Sequence, residues 1–307
     1  MFLFGIRRLL TALVALWGMA TVVFLLLRVL PGDPAETLLA GSGAPPEAIA
    51  LTRQHMGLDD PLPVQYGRYL LSTARGDLGR SLFSNRPVIL TIAEQLPATL
   101  HLAVAAWLVM AVVGVGLGIL AALRAGSWVD RLTMGGAVLG VSVPIFWSGL
   151  LLISIFSVGL NWLPATGAGS WRHLVMPALV LGMVGAGPLA RLVRSSLLDV
   201  LHADYITVAR GKGLPSRIII TRHAVRNAMI PAINLMGLQA GFLLAGTVVT
   251  ETVFARPGLG RVMVDAILWK DLPVVQGVVL LIAATYIAIN LLVDLTTMVI
   301  DPRSRQT

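Results

Sequence analysis

Leu102–Leu123 reads LAVAAWLVMAVVGVGLGILAAL, a run without a single charged side chain. It matches the roughly 20 apolar residues that an α-helix needs to cross the hydrocarbon of a bilayer. Five further runs are equally free of charge: Leu9–Leu27, Leu132–Leu160, Leu174–Ala190, Ala228–Thr250 and Leu272–Val293. Backbone polar groups in lipid must be hydrogen-bonded within the segment, and the alternation of a barrel strand is missing from these runs, so each reads as a helix. The expectation is an all-α integral membrane protein with six transmembrane helices. Composition agrees: 56% of the chain is apolar, 12% is charged, and the mean hydropathy is +0.84. Leu174–Ala190 is the shortest run and reaches full length only if Trp171 or Arg191 sits in the interface.

Lys and Arg set the orientation. With the N-terminus inside, the inner pieces hold Arg7 and Arg8, Arg124 and Arg131, the basic residues from Arg191 to Arg226, and Arg303 and Arg305. These are more than half of the 23 basic residues, against the acids Asp130, Asp199, Asp204 and Asp301. The positive-inside bias therefore places both termini in the cytoplasm. The net charge of +8 is spread over loops that topology alone makes basic, which argues against nucleic acid as a partner. Leu9–Leu27 follows two arginines, but it is too long for a signal-peptide core and lacks a clean small-residue cleavage site, so it reads as a retained helix. The chain has no cysteine, which removes disulfides and thiolate chemistry.

The largest polar region outside is 31–96. Pro45-Pro46-Glu47 opens a short helix that closes at Gly57, and a second runs from Pro63 to about Ala74, before Gly76. Tyr66 and Tyr69 share a face of that second helix. They read first as packing of a small outer cap; the sharper reading makes Tyr66, Tyr69 and Asp77 contacts for a docking protein or a gate. Helices two and three join through the tight inner turn Arg124–Arg131. Pro144 gives helix three a kink or a partly buried outer end. The glycines Gly114, Gly116 and Gly118 of helix two, and Gly182, Gly185 and Gly187 of helix four, permit close helix contact. No internal repeat is visible, and the chain reads as one domain.

Catalytic constellations are missing. The five histidines show no metal-ligand spacing, and Gly211-Lys212 lacks the rest of a phosphate loop, so the chain does not read as an enzyme or a nucleotide hydrolase. Nor does it read as proton-driven, since such carriers keep ionisable groups at mid-membrane. His101 and Asp294 are the candidates there, and Asp294 fits a structural pairing with an inner arginine better than a relay. Attention falls instead on the segment 191–227, which includes HADYITVARGKGLPSRIIITRHAVRN from His202 to Asn227. Asp199 and Asp204 sit near the start of a short helix, where carboxylates suit the positive dipole end. Ala203, Ala209, Gly211 and Gly213 keep its surface thin enough to enter a cleft, Pro215 ends it, and Pro231 opens helix five. A loop that merely held topology would need no such pattern.

The whole chain resembles the membrane-spanning permease subunits of bacterial ATP-binding-cassette importers for dipeptides, oligopeptides, glutathione and nickel. The resemblance is carried by Leu30-Pro-Gly-Asp-Pro34, Gly57-Leu-Asp-Asp-Pro61 with Gln65-Tyr66, Gly76-Asp-Leu-Gly79, and the stretch Asp199–Pro231. Val253-Phe-Ala-Arg-Pro-Gly-Leu-Gly-Arg261 and Asp301-Pro-Arg303 complete it. Each is weak alone; in this order they are specific. The resemblance implies a type I importer permease fold with a large periplasmic loop after helix one, sited in the bacterial inner membrane. It implies two ATPase subunits, a second homologous permease, and a periplasmic or lipoprotein substrate-binding protein, with no cofactor or metal held by this chain. The segment 191–227 resembles the EAA motif, whose coupling helix enters a groove on the ATPase. The residues so implicated are Asp204, Tyr205, Thr207, Ala209, Arg210, Gly211, Lys212, Gly213 and Leu214. The glutamate and first alanine of the generic pattern are replaced, and the closing Ile230-Pro231 arrives late, as in the peptide branch; Ala209 and Gly213 carry over most directly. Small peptides are the favoured cargo, with nickel or metal chelates as the alternative. An ion-coupled carrier and a structural or sensory scaffold are the competing classes.

Overall fold

The computed structural model describes residues 2–29, 33–39 and 45–300, with side chains over 7–26, 28–29, 33–36, 38–39 and 45–293. The helices are α1 (Phe2–Val29), α2 (Pro34–Leu39), α3 (Pro46–His55), α4 (Leu62–Ala74), α5 (Val88–Leu123), α6 (Trp128–Ser142) and α7 (Ile145–Leu152). They continue with α8 (Arg172–Leu201), α9 (Asp204–Gly211), α10 (Ser216–Ile218), α11 (Val225–Val253), α12 (Leu259–Leu268) and α13 (Leu272–Ile300). Two π-helical stretches, Ile153–Gly159 and Ile219–Ala224, prolong α7 and link α10 to α11. Among the described residues the β-structure is a single isolated bridge, Arg80 to Pro87.

Among the described residues five helices are long and apolar enough to cross a membrane, or six if α6 and the α7 segment are counted as one span. The charge-free run Leu132–Leu160 is not one kinked rod: α6 and the α7 segment meet at 105°. Proline has no N–H to continue the ladder and forces the residue before it out of the helical region. Val143 is accordingly extended, with φ −87° and ψ 127°, immediately before Pro144.

The polar stretch from Arg191 to Asn227 is also shorter as a connection than it reads. Helix α8 carries on through Arg191 and Arg194 to Leu201, and α10 begins at Ser216, leaving 202–215, with the short α9, between them. A helix needs no lipid to keep its own backbone bonds satisfied, so the end of the apolar run did not mark its end. Pro231, expected to open helix five, lies inside α11.

The chain divides into two compact units: 1–98 with 257–287, and 99–256 with 288–307. In the first, Phe24 of α1 is packed by Tyr66 and Tyr69 of α4, with ring centroids 5.3 and 5.6 Å away. The Tyr66 hydroxyl lies 2.6 Å from Thr21 Oγ1, and Arg28 donates to Gln65 Oε1 at 2.6 Å, so α4 is bolted to α1 by ring packing and hydrogen bonds together. Burial pushes the Tyr69 phenol up to about 12. A second cluster joins Val88 and Ile92 to Leu259, Ala266, Val274, Val275 and Val278.

In the second unit α8 is packed by α5, α6 and α11 around Met110, Leu181, Leu189 and Val193. Small residues set these distances. A Cβ on Gly182 would stand 2.6 Å from the Ala106 carbonyl oxygen, and one on Gly118 would stand 2.6 Å from Val193 Cβ. Gly114, Gly185 and Gly187 are equally crowded, whereas Gly116 faces open space and has no such role.

Candidate functional site

The connection between α8 and α11 is built around α9. Ala203, extended at φ −69° and ψ 145°, turns the chain out of α8, and Asp204 places a carboxylate in the first turn of α9, where the helix dipole favours it. Ile206 is fully buried among Ala122, Leu197, Ile219, Ala224 and Ala228, and Ala209 packs against the same cluster. Burying an isoleucine is worth about 1.5–3 kcal/mol, enough to hold so short a helix in one pose. Tyr205, Thr207, Val208 and Arg210 take the opposite, exposed face; Val208 keeps 56% of its surface. The Tyr205 hydroxyl accepts from Asn227 Nδ2 at 2.9 Å, which ties the exposed face back to α11.

Helix α9 closes through two bonds, Gly213 N–H to the Arg210 carbonyl at 2.9 Å and Leu214 N–H to that of Ala209 at 3.3 Å. Gly213 sits at φ +77°, the left-handed turn that this closure requires. Gly213 is therefore the stop of the helix, a role beyond that of a residue which keeps the surface thin. Gly211 and Gly213 are both exposed, with open space where a side chain would project, and Gly211 has no positive φ to strain. Lys212 and Leu214 are exposed beside it, and Leu214 leads to Pro215, which caps the next helix.

One ion pair stiffens this end of the unit. Arg194 of α8 donates from Nε and Nη2 to the two oxygens of Asp130, at 2.6 and 2.7 Å, and Asp130 also accepts from Gly126 N–H at 3.0 Å. Asp130 is buried, and the pair fastens the 124–131 turn to the helix that leads into α9. Reading both residues as loop charges hid it, because their pairing bridges 64 positions in the chain.

A second carboxylate is buried in the same way. Glu251 reads as an outer loop residue just past the charge-free run, yet α11 continues to Val253 and Glu251 is fully buried. It accepts from Thr99 Oγ1 at 2.7 Å. Arg256 lies in its field; burial lowers the guanidinium's pKa while the charge of Glu251 works the other way. Of the residues proposed for an outer contact, Tyr66 and Tyr69 are spent on packing α1, and Asp77 accepts from Gly79 N–H at 2.9 Å within its own turn. His101 is exposed on α5, and the side chain of Asp294 lies outside the described residues, as do 30–32 and 301–303 of the quoted motifs.

Long apolar helices, one of them broken, with a short amphipathic helix slung between the two that pack most extensively, define the membrane-spanning permease of a type I importer. A solved structure described as "Inward facing conformations of the MetNI methionine ABC transporter: CY5 native crystal form" matches with a TM-score of 0.60 over 69% of this chain and 97% of that one. The two are 18% identical, so the likeness is one of fold. Residues 114–306 match the family "Binding-protein-dependent transport system inner membrane component", and residues 1–103 match the N-terminal region described for such membrane components. This chain belongs to that family and is a permease of an ABC importer. Relatives include the "Glutathione transport system permease protein GsiC" of Salmonella paratyphi A (strain ATCC 9150 / SARB42), 46% identical over 98% of both chains. The protein of the same name from Escherichia coli (strain K12) is 44% identical over the same share of each.

Proposed function

We propose that this chain, paired with a second, homologous permease, forms the path by which small peptides of the glutathione type enter the cell across the inner membrane. Two ATPase subunits drive it from the cytoplasmic side and a soluble or lipid-anchored binding protein delivers cargo on the other. Both termini and α9 face the cytoplasm in this reading, following the distribution of arginine. The chain itself supplies no nucleotide chemistry.

The observation that carries the coupling role is the two-faced α9. Ile206 and Ala209 anchor one side to unit two, while Tyr205, Thr207, Val208, Arg210, Gly211 and Lys212 present an apolar strip with a basic rim. Motion passes through a short helix only when it is packed on both partners, and one of the two packings is already in place. Asp204 and Gly213 set the two ends of that helix, and Leu214 follows its stop. The cargo reading rests on the full-length likeness to glutathione permeases.

Calorimetry on the cognate binding protein tests the cargo: affinity for glutathione or dipeptides is expected, and affinity for a nickel chelate with none for peptide would overturn the choice. Co-purification of the ATPase subunits with a Gly211→Glu variant tests the coupling.

A further inference from the structure

The first unit contains a cavity of about 290 Å³ that coupling and helix packing leave without a role. One wall is the turn around Phe83 and Ser84, the other is the Asp265–Trp269 end of α12, and the floor is Ala266 and Val274. Phe83 and Trp269 meet at the rim, with centroids 5.5 Å apart and planes tilted by 58°. Both rings are open to the surroundings, at 43% and 61% exposure. Asp265 stands at the wall with 59% of its side chain exposed, and it forms an i,i+4 ion pair with Arg261 at 3.9 Å. Asp271 lies deep, 5% exposed, accepting from Ser81 Oγ at 2.5 Å and from Leu82 N–H at 3.1 Å. Two of the lining residues are acidic and none is basic.

We propose that this cavity is a socket for a lysine or arginine side chain of the binding protein. The proposal rests on the importer reading above, in which this unit's short helices and turns lie on the outer side. A cation passing over an indole or phenyl face gains cation–π attraction, and the carboxylate beside it strengthens the hold. The aliphatic stem of such a side chain suits the apolar floor, while its head stays near Asp265. A phosphate would meet two carboxylates and no basic residue among those that line the cavity, and an acyl chain would strip water from Asp265 without return. The socket is also preformed. Ser81 N–H bonds to the Arg86 carbonyl at 2.9 Å, Asn85 N–H to that of Ser81 at 3.0 Å, and Ser84 N–H to Ser81 Oγ at 3.1 Å. A rigid turn has little ordering entropy left to lose on binding, and an exposed aromatic anchor beside a pocket is where interface energy concentrates.

The test uses the complete transporter in lipid nanodiscs and its binding protein, with affinity read by biolayer interferometry. Asp265→Lys and Trp269→Ala should each weaken binding at least about tenfold, while the ATPase subunits still co-purify. Wild-type affinity should fall as salt rises, more steeply than in Asp265→Asn. Replacing the matching lysine or arginine of the binding protein by glutamate should restore affinity to Asp265→Lys. Unchanged affinity in both variants overturns the socket alone. Quenching of the Trp269 signal by dibrominated phospholipid, measured as the difference from Trp269→Phe, would put the rim in lipid and overturn it too. A wild-type complex that holds its ATPases yet binds no binding protein would overturn the socket together with the delivery reading. Loss of the ATPases with binding intact would strike only the coupling reading.

Discussion

Helices α9 and α12 end in the same way with different residues, and the difference separates what is local from what is not. In α9 the closing bonds run from Gly213 to Arg210 and from Leu214 to Ala209; in α12 they run from Lys270 to Ile267 and from Asp271 to Ala266. The left-handed residue is Gly213 at φ +77° in the first and Lys270 at φ +54° in the second. Glycine takes that conformation freely, so α9 stops wherever its sequence is placed. Lysine does not, and α12 stops because Asp271, the next residue, is held in the interior by Ser81 and Leu82. One cap is written in the local sequence; the other depends on a contact across 190 positions.

The largest expected effect is functional. Gly211 lies next to the α9 cap but has open space around it, so Gly211→Glu should leave insertion and folding intact. Under the coupling proposed above, the added side chain occupies the surface offered to an ATPase, and uptake and co-purified ATPase should drop at least about tenfold, a loss of ~1.4 kcal/mol or more. Full uptake at equal membrane abundance would remove α9 from the coupling role.

Asp271→Ala comes next. It strands a buried hydroxyl and a backbone N–H and releases the tether on Lys270, at about 2–3 kcal/mol. Thermal unfolding of the detergent-solubilised protein should show a clear fall in melting temperature. A fall no larger than that of a surface substitution would break the contrast between the two caps. Gly213→Ala meets no neighbour, so its cost is the backbone strain alone, about 1 kcal/mol, read in the same assay. The smallest change runs the other way: Lys270→Gly relieves the left-handed lysine and should raise stability by about 0.5 kcal/mol. A lower melting temperature for that variant would mean that the Asp271 tether already carries the conformation without strain.

These caps also mark how far sequence reasoning reaches. Helices α3 and α4 were legible because Pro46, Gly57 and Gly76 punctuate them, and Gly57 and Gly76 do adopt φ of +64° and +79°. Short helix α9 was legible from Asp204, Gly213 and Pro215. The role of Gly213 was not, since thin surface and left-handed cap ask for the same residue. Asp130, Glu251 and Asp271 escaped for a common reason. Each lies outside the charge-free runs, and each is a buried acceptor only because Arg194, Thr99 or Ser81 arrives from a distant segment.

By itself the amino-acid sequence determined the medium, the helical class and the family. The energy of placing uncharged runs in lipid is additive along the chain, and the need to satisfy backbone groups there admits few folds. Tertiary structure alone decided where α8 and α11 end, how sharply the chain breaks at Pro144, and which carboxylates face inward. Those outcomes turn on desolvation, and the cost of burying a charge is defined only once its partners stand beside it.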